Sequence, residues 1–147
     1  MKPSKPLKRS PVRKKSARRH LVQEADRLVR EVVLQEQGEA CLKCHQVKPL
    51  HAAHILPKGA YPSLRFETTN VIGLCMRDHL YWAHRDPVGF VDWVNQIFPG
   101  RIDRLKLSAS QHRKIDLKEL ICVLKSLVRD PPGTPQPRSE DLNSEPF

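Results

Sequence analysis

Cysteine and histidine are concentrated in one stretch of this chain. Residues 41–84 hold three of its four cysteines and five of its seven histidines. The motifs, in order, are Cys41-x-x-Cys44, His51-Ala52-Ala53-His54, Asn70-Val71-Ile72-Gly73-Leu74-Cys75, Asp78-His79 and then His84. Thiolates and imidazoles at such short spacing commonly bind a metal ion, and the bound metal then cross-links the chain. We therefore predict that this stretch folds around metal.

Length limits the number of domains, and the charge distribution shows where the basic residues lie. The 147 residues are enough for one domain with a modest core. The formal net charge is +10, but residues 1–19 hold nine Lys or Arg and no acid. Residues 130–147 hold four acids and one arginine, which leaves the body at 20–129 with 16 basic and 12 acidic side chains. The body is therefore mildly basic, whereas the N-terminal segment is strongly so.

Both ends of the chain have the composition of disordered segments. Residues 1–19 contain few apolar side chains, so they cannot bury enough surface to offset the entropy of ordering. We expect this arm to bind nucleic-acid phosphates, the alternative being a solvated tail without a specific role. The cations assigned to phosphate are Arg13, Lys14, Lys15, Arg18 and Arg19. The Pro-rich segment 130–147 is predicted to be a disordered tail, which leaves a folded domain at 20–129 with its core at 41–86.

The chain has no sequence feature of a membrane or secreted protein. No apolar run reaches the roughly 18 residues that span a bilayer, and the N-terminus lacks the apolar segment of a signal peptide. The cysteine spacing is typical of metal binding and not of a disulfide framework. We predict a cytoplasmic protein with reduced thiols and no membrane partner.

Local patterns predict a small α+β domain. Apolar residues at helical spacing follow His20, and Gly38 stands where a C-cap glycine belongs. The predicted elements are helices over 20–37, 78–84, 88–98 and from a cap at Asp116, and extended pieces over 50–56, 64–66 and 71–74. Tyr81 and Trp82 are expected to be core or hinge aromatics, and Cys122 a buried thiol. This order would bring His54 and His79 to face each other across a small cleft.

The first cysteine pair predicts a zinc knuckle. Two thiolates two residues apart can both reach one tetrahedral zinc ion at about 2.3 Å. Cys75 supplies the third thiolate, and Asp78 stands where a fourth cysteine would complete the pattern. We predict a structural zinc held by Cys41, Cys44, Cys75 and Asp78, with His45 as the other candidate for the fourth position. The alternative is a decayed site with three buried thiols.

These motifs together resemble the HNH nucleases, whose fold is the ββα-metal (His-Me finger) core. The finer pattern, Ala53-His54-Ile55 followed by Asn70-Val71 and Cys75, is most similar to the NinG (Rap-like) branch of phage recombination proteins. The resemblance covers roughly residues 28–127. It implies a zinc-knuckle-supported ββα-metal core flanked by helices, in a bacterial cell or a phage-infected host.

The resemblance also implies roles for individual residues. His54 matches the general base that takes a proton from the attacking water, and Asn70 matches the central asparagine that orients it or contributes to the metal environment. His79 matches a ligand of the catalytic metal, with His84 and His51 as further ligands. The metal implied is Mg²⁺ or Mn²⁺. Ala53 departs from the family, which usually places a ligand there.

The spacing of the last two histidines leaves two alternatives for metal binding. His79 and His84 are five residues apart, whereas side chains three or four apart share a face of a regular helix. A bulge in the helix or the helix end would bring both to one metal; otherwise only one of them binds.

The function implied is that of a metal-dependent DNA endonuclease. Lys58, Arg65, Arg77 and Arg85 are the candidates for holding the flanking phosphates. The resemblance implies recombination or replication intermediates as substrates. The alternatives are a catalytically inactive, zinc-stabilised nucleic-acid-binding protein and an assembly accessory of a phage. Apolar faces after Pro87 serve either a homodimer interface or burial within one chain.

Overall fold

The structure, a computed structural model, describes residues 17–111 and 114–128. These ranges contain one antiparallel strand pair and several helices, which confirms the α+β class. The elements are α1 (Ala17–Gln37), β1 (Leu50–His54), β2 (Val71–Cys75), a π-helix (Arg77–Ala83), α2 (Pro87–Ile97), α3 (Arg101–Ser110) and α4 (Leu117–Leu127). Short 3₁₀ turns at Pro62–Leu64 and Thr68–Asn70 lie between the strands.

The strand pair is held against α1 by one glycine. In the register of the sheet, His51 lies opposite Leu74 and His54 opposite Val71. A Cβ atom on Gly73 would lie 2.6 Å from Gln37 Nε2 and 2.7 Å from Leu34 Cδ2, so any larger residue would force these side chains to shift. The Gln37 amide donates to the Gly73 carbonyl at 2.8 Å and accepts from its N–H at 2.7 Å. These contacts place α1 beside the histidines of β1.

Two apolar clusters hold the elements together. The larger one joins the strands, α2 and α3, and Leu64, Leu74 and Val94 are among its fully buried side chains. The smaller one joins α1 to α4, and its buried members are Ala25, Leu28, Val29, Val32, Val33, Val71, Ile121 and Leu124. Each fully buried aliphatic side chain contributes about 1.5–3 kcal/mol of hydrophobic stabilisation. Strands, π-helix and α1 are thus fixed relative to one another by burial on both sides.

Two predicted helix ends agree with the structure, one with a glycine cap and one with a side-chain cap. Gly38 has φ +88° after α1, and the Gly38 N–H donates to the Leu34 carbonyl at 2.9 Å. Asp116 accepts from the N–H groups of Lys118 and Glu119 at 2.8 and 3.3 Å at the start of α4. Capping is a local interaction, which is why the sequence predicts it well.

Three local predictions are wrong. The segment at 64–66 is not extended, because Pro62 starts a 3₁₀ turn and Arg65 keeps helical backbone angles (φ −55°, ψ −40°). Tyr81 is 56% exposed instead of lying in the core, whereas its neighbour Trp82 packs edge-to-face on other aromatic rings at 5.3–5.7 Å. Cys122 is exposed, because α4 turns its face with Ile121 inward.

One element was not predicted at all. Helix α3 buries only Ile102 and Leu105 on the core, too few apolar positions for a clear helical period. Its start is set by Gly100, which has φ +74°. Because this φ lies in the left-handed region, glycine is favoured there.

The structure covers only part of the predicted basic arm. Helix α1 begins at Ala17, so Arg18 and Arg19 lie in its first turn and not in the preceding segment. Arg13, Lys14 and Lys15, like the tail at 130–147, lie outside the described residues. None of the helices in the described ranges has the length and apolarity to cross a bilayer.

Candidate metal centre and histidine cleft

Three cysteines and one aspartate converge between the knuckle and the π-helix. The ligand atoms of Cys41, Cys44, Cys75 and Asp78 all lie within 4.8 Å of one another. Cys44 Sγ is 3.9 Å from Cys75 Sγ, and Asp78 Oδ2 accepts from Cys41 Sγ and Cys75 Sγ at 3.3 and 3.4 Å. We call these four residues the Cys3Asp cluster.

The dimensions of the Cys3Asp cluster suit a tetrahedral zinc ion. Bonds of about 2.3 Å to sulfur and about 2.0 Å to oxygen require S–S edges of about 3.8 Å and S–O edges of about 3.5 Å. The observed separations of 3.9 Å between two sulfurs and 3.3–3.4 Å from sulfur to oxygen differ from these edges by only one to two tenths of an ångström. With these three separations close to tetrahedral edges and all ligand atoms within 4.8 Å, the cluster could hold a metal ion such as zinc.

Local backbone structure builds the knuckle. Ala40 and Val47 form an isolated antiparallel bridge, and the Cys41 N–H donates to the Gln46 carbonyl at 3.0 Å. His45 at the turn has φ +58°, is exposed, and does not belong to the cluster. Asp78, not His45, is therefore the fourth group that the fold brings to the three thiols.

Electrostatics in the Cys3Asp cluster call for a cation. Burial acts to raise the pKa of Asp78, but hydrogen bonds from the three cysteines and Arg77 outweigh it and hold that pKa below its usual value. A backbone hydrogen bond from Gln46 lowers the pKa of Cys44, but the Asp78 carboxylate and burial raise it to about 11. The Asp78 carboxylate disfavours the charged form of the neighbouring Cys44 thiol, and a divalent cation between them would remove this conflict.

The π-helix brings together the two histidines that are five residues apart. The His84 N–H donates to the His79 carbonyl at 3.2 Å, an i→i+5 hydrogen bond, and the two ring centroids lie 4.7 Å apart. In a regular α-helix these side chains would diverge. Of the alternatives, the structure therefore has the helix irregularity, in the form of a π-helical segment over Arg77–Ala83.

His79 lies at the centre of the four histidines. Its ring centroid is 5.8 Å from that of His51, and its Nδ1 is buried without a hydrogen-bond partner in the described residues. Burial, followed by the nearby His84, His51 and His54, lowers the pKa of His79 to about 4. A neutral imidazole with an unpaired nitrogen is suited to bind a metal ion. The imidazoles are less tightly grouped than the Cys3Asp cluster and would have to draw together around an ion.

His54 is held in a defined tautomer. Its Nε2 lies 3.0 Å from the Arg65 carbonyl oxygen, which can only accept a hydrogen bond. In the neutral imidazole Nε2 therefore carries the proton, which leaves the lone pair on Nδ1. His54 is only partly buried and lines two cavities, so it can act on a bound molecule as a base.

Asn70 positions this carbonyl instead of lining the cleft. It is fully buried, and its amide accepts from the Leu56 N–H at 2.8 Å while donating to the carbonyls of Leu56 and Leu64 at 3.0 and 3.2 Å. Leu64 directly precedes Arg65, whose carbonyl holds His54. Asn70 thus fixes the loop that orients His54, as expected of a positioning residue.

Two adjoining cavities form what we call the histidine cleft, defined by His51, His54, His79 and His84. One, of about 530 Å³, is lined by His54, His79 and His84, and the other, of about 460 Å³, by His51, His54 and His79. Ala53, at the family's ligand position, is buried in the core and offers no donor atom. The cleft has room for a ligand larger than a metal ion.

Cations line the cleft, and their roles differ from those predicted. Lys58 is exposed and lines both cavities, as expected of a phosphate-binding residue. Arg65 also lines the cleft, but its guanidinium forms a bidentate pair with Asp26 at 3.0 and 2.6 Å. Arg27 and Arg30 of α1 line the same cavity; sequence analysis missed them, because a charged helix face is usually solvated.

The remaining two predicted phosphate ligands lie outside the cleft lining. Arg77 Nε is 3.2 Å from Asp78 Oδ1, so its guanidinium supports a ligand of the Cys3Asp cluster. Arg85 lies over the Tyr81 ring at 5.2 Å, on the exposed face of the π-helix.

Comparisons with protein-family models, with curated proteins and with solved structures find no match for this chain. The resemblance to the HNH nucleases therefore rests on the motif residues alone. What the described residues define by themselves is an α+β domain with one closed candidate metal centre and one open, cation-lined histidine cleft.

Proposed function

We propose that this protein is a metal-dependent, HNH-type endonuclease that hydrolyses DNA phosphodiester bonds. The observation that carries the proposal is His54, whose lone pair is placed on Nδ1 by the Arg65 carbonyl and which shares two cavities with His79. An antiparallel strand pair followed by a histidine-bearing helix is also the order that the ββα-metal core requires.

Different residues of the histidine cleft have different roles in the proposed hydrolysis. Nδ1 of His54 accepts a proton from a water molecule. The positive charge is then carried by the His54 ring, whose Nε2 stays hydrogen-bonded to the Arg65 carbonyl. Lys58 and Arg30 supply positive charge for the phosphates on either side of the scissile bond, whereas the charge of Arg27 is offset by Glu31 at 2.6 Å. The Arg65–Asp26 ion pair joins α1 to the loop that holds His54. It thereby keeps the cations of α1 in place beside His54.

The histidine cleft also fits a metal ion. His79, with its unpaired buried nitrogen, and His84 and His51 beside it would hold the ion. When bound, a divalent ion stabilises the charge that develops on the phosphate and on the leaving oxygen. Because the donors are imidazoles, we expect Mn²⁺ or Zn²⁺ to bind more tightly than Mg²⁺, which prefers oxygen ligands.

Cleavage of supercoiled plasmid and of a four-way junction, with Mg²⁺, Mn²⁺, Zn²⁺ or EDTA, tests the proposal. His54→Ala should lower the rate by about 10² to 10⁴ while leaving DNA affinity largely intact. His20→Ala, an exposed histidine of α1 outside the cleft, is the matched control and should keep full activity. Activity that survives in His54→Ala would exclude His54 as the base.

A second function, a zinc-stabilised nucleic-acid-binding protein without catalysis, is favoured by one specific observation. The tightly grouped donors are those of the Cys3Asp cluster, whereas buried Ala53 contributes no ligand to the histidine cleft. In that case the wild-type protein would bind DNA, retain zinc on its thiolates and cleave neither substrate with any of the three metals.

A further inference from the structure

A third and larger cavity, of about 970 Å³, adjoins the histidine cleft at Arg65. Its walls come from α1, the Pro62–Leu64 turn, α3 and the segment before α4. We call it the basic groove and define it by Arg18, Tyr61, Arg65, Phe66, Lys106 and Lys114. Its volume lies at the upper end of the ~300–1,000 Å³ range of ligand pockets.

The charge of the basic groove is one-sided. No carboxylate occurs among the described residues that line it. Arg18, Lys106 and Lys114 are exposed and form no ion pair with a described acid, whereas Lys125, on the α4 side of the same α1 surface, is paired with Glu24 at 2.7 Å. Three uncompensated cations facing one cavity repel each other, so a polyanion in the groove relieves this repulsion.

Two aromatic rings distinguish the basic groove from a simple cationic surface. Tyr61 and Phe66 are partly buried and line the same cavity as the cations. Aromatic rings interleaved with cations stack nucleobases along a tracked backbone. In a duplex the bases present only their edges, so their faces are available to these rings only in an unpaired strand.

We infer that the basic groove binds an unpaired DNA strand that continues from the phosphodiester bond held in the histidine cleft. Arg65, whose guanidinium is paired with Asp26, lines both cavities, so one backbone can pass at this residue from the cleft into the groove. This inference rests on the proposed function and narrows its substrate class. The substrate is DNA with a single-stranded segment beside the scissile bond.

Fluorescence anisotropy with a labelled oligo-thymidylate and with a blunt duplex of equal length tests the charge of the groove. K106Q/K114Q should weaken oligo-thymidylate binding roughly five- to tenfold and lower its salt slope by about 1.4, since each single-strand phosphate contact contributes about 0.7. Duplex binding should change by less than about twofold. K48Q/R104Q removes two exposed cations that do not line the groove and is the matched control.

The stacking contact is tested at Tyr61. Tyr61→Leu keeps an apolar side chain but loses the ring, and should weaken oligo-thymidylate binding roughly fivefold or more. Tyr61→Phe keeps the ring and should bind as the wild type does. A thermal melt of each variant shows whether the fold is kept, and the charge variants decide the matter if Tyr61→Leu unfolds.

The outcomes separate this inference from the proposed function. If K106Q/K114Q binds the single strand as tightly as K48Q/R104Q does, or loses single-strand and duplex binding equally, the unpaired-strand assignment is overturned whether or not the protein cleaves plasmid. If heparin competes equally well against both DNA forms, the groove binds polyanions without selecting unpaired bases, which also overturns it. If the groove variants behave as expected but the wild type cleaves no DNA, the groove assignment stands and the endonuclease proposal fails.

Discussion

The Cys3Asp cluster and the histidine cleft meet at two consecutive residues, Asp78 and His79, yet they differ in every physical respect. Cys41, Cys75 and Asp78 are at most 5% exposed and their ligand atoms lie within 4.8 Å. The imidazoles of the cleft are partly exposed, with ring centroids 4.7–5.8 Å apart, and cavities open beside them. Closed four-ligand sites are typical of structural metal, whereas open sites leave room for water and substrate. Under the proposed function, the first region supports the fold and the second carries the chemistry.

The largest expected effect is the loss of the Cys3Asp cluster. Cys41→Ser removes a buried ligand, and because structural zinc contributes about 10 kcal/mol or more to folding, we expect a loss of at least about 4 kcal/mol in unfolding free energy. Since Asp78 begins the π-helix region, the histidine cleft should be lost as well. The zinc content measures the loss of the cluster, and a urea titration measures the loss of unfolding free energy. Cys122→Ser, on an exposed cysteine, is the control and should change neither.

Asn70→Ala should separate the two regions. It removes the Asn70 partners of the buried Leu56 N–H and the Leu56 carbonyl, whereas the Leu64 carbonyl keeps the Glu67 N–H at 3.3 Å; we expect this to destabilise the fold by about 3 kcal/mol. The Cys3Asp cluster should still bind one zinc ion, since no cluster ligand contacts Asn70. Urea unfolding and a zinc assay of the same variant check this. If the variant loses its zinc as well as its stability, the two regions are not separable.

Gly73→Ala tests the packing that both regions share. The new methyl group would meet Gln37 Nε2 at 2.6 Å and Leu34 Cδ2 at 2.7 Å, so we expect a loss of about 2 kcal/mol. At Gly59 a Cβ meets nothing within 4 Å, and Gly59→Ala should leave the melting temperature nearly unchanged. Equal melting temperatures for the two variants would contradict the close approach of α1 to β2.

His84→Ala should affect only the histidine cleft. Removing one of three imidazole donors should weaken binding of a second metal ion at least tenfold, or about 1.4 kcal/mol, while the zinc on the thiolates stays. Because His84 is exposed, stability without metal should change by less than about 0.5 kcal/mol. Calorimetric titration of Mn²⁺ into zinc-loaded protein distinguishes the two ions, and unchanged affinity would exclude His84 as a ligand.

Asp26→Asn should have only a small effect on stability. The Asp26–Arg65 pair is about one-third exposed, so we expect its loss to lower the unfolding free energy by only about 0.5–1 kcal/mol. The freed Arg65 guanidinium should then strengthen DNA binding at low salt, where screening is weak. Anisotropy at two salt concentrations measures the gain, and weaker binding would show that Asp26 serves to position Arg65 on DNA.

Sequence reasoning predicted short-range features well. The α+β class, helix α1 with Gly38 at its end, the cap at Asp116 and the three cysteines of the Cys3Asp cluster were predicted from spacing and residue type, with Asp78 or His45 as the fourth member. It failed where the deciding contact is distant in sequence. Cys122 and Tyr81 lie outside the core because of how their helices rotate on the fold, and α3 has too weak an apolar pattern to be seen.

The sequence by itself determined which groups can bind metal and roughly where the helices and strands lie, because chelate spacing and capping involve residues only a few positions apart. Tertiary structure alone decided how those groups are used. The fold places Asp78, and not His45, beside the three thiols, and its π-helix brings His79 and His84 together. It also pairs Arg65 with Asp26 and buries Asn70 under the loop that holds His54. These outcomes depend on which surfaces of distant segments pack together. No pattern of neighbouring residues specifies that packing.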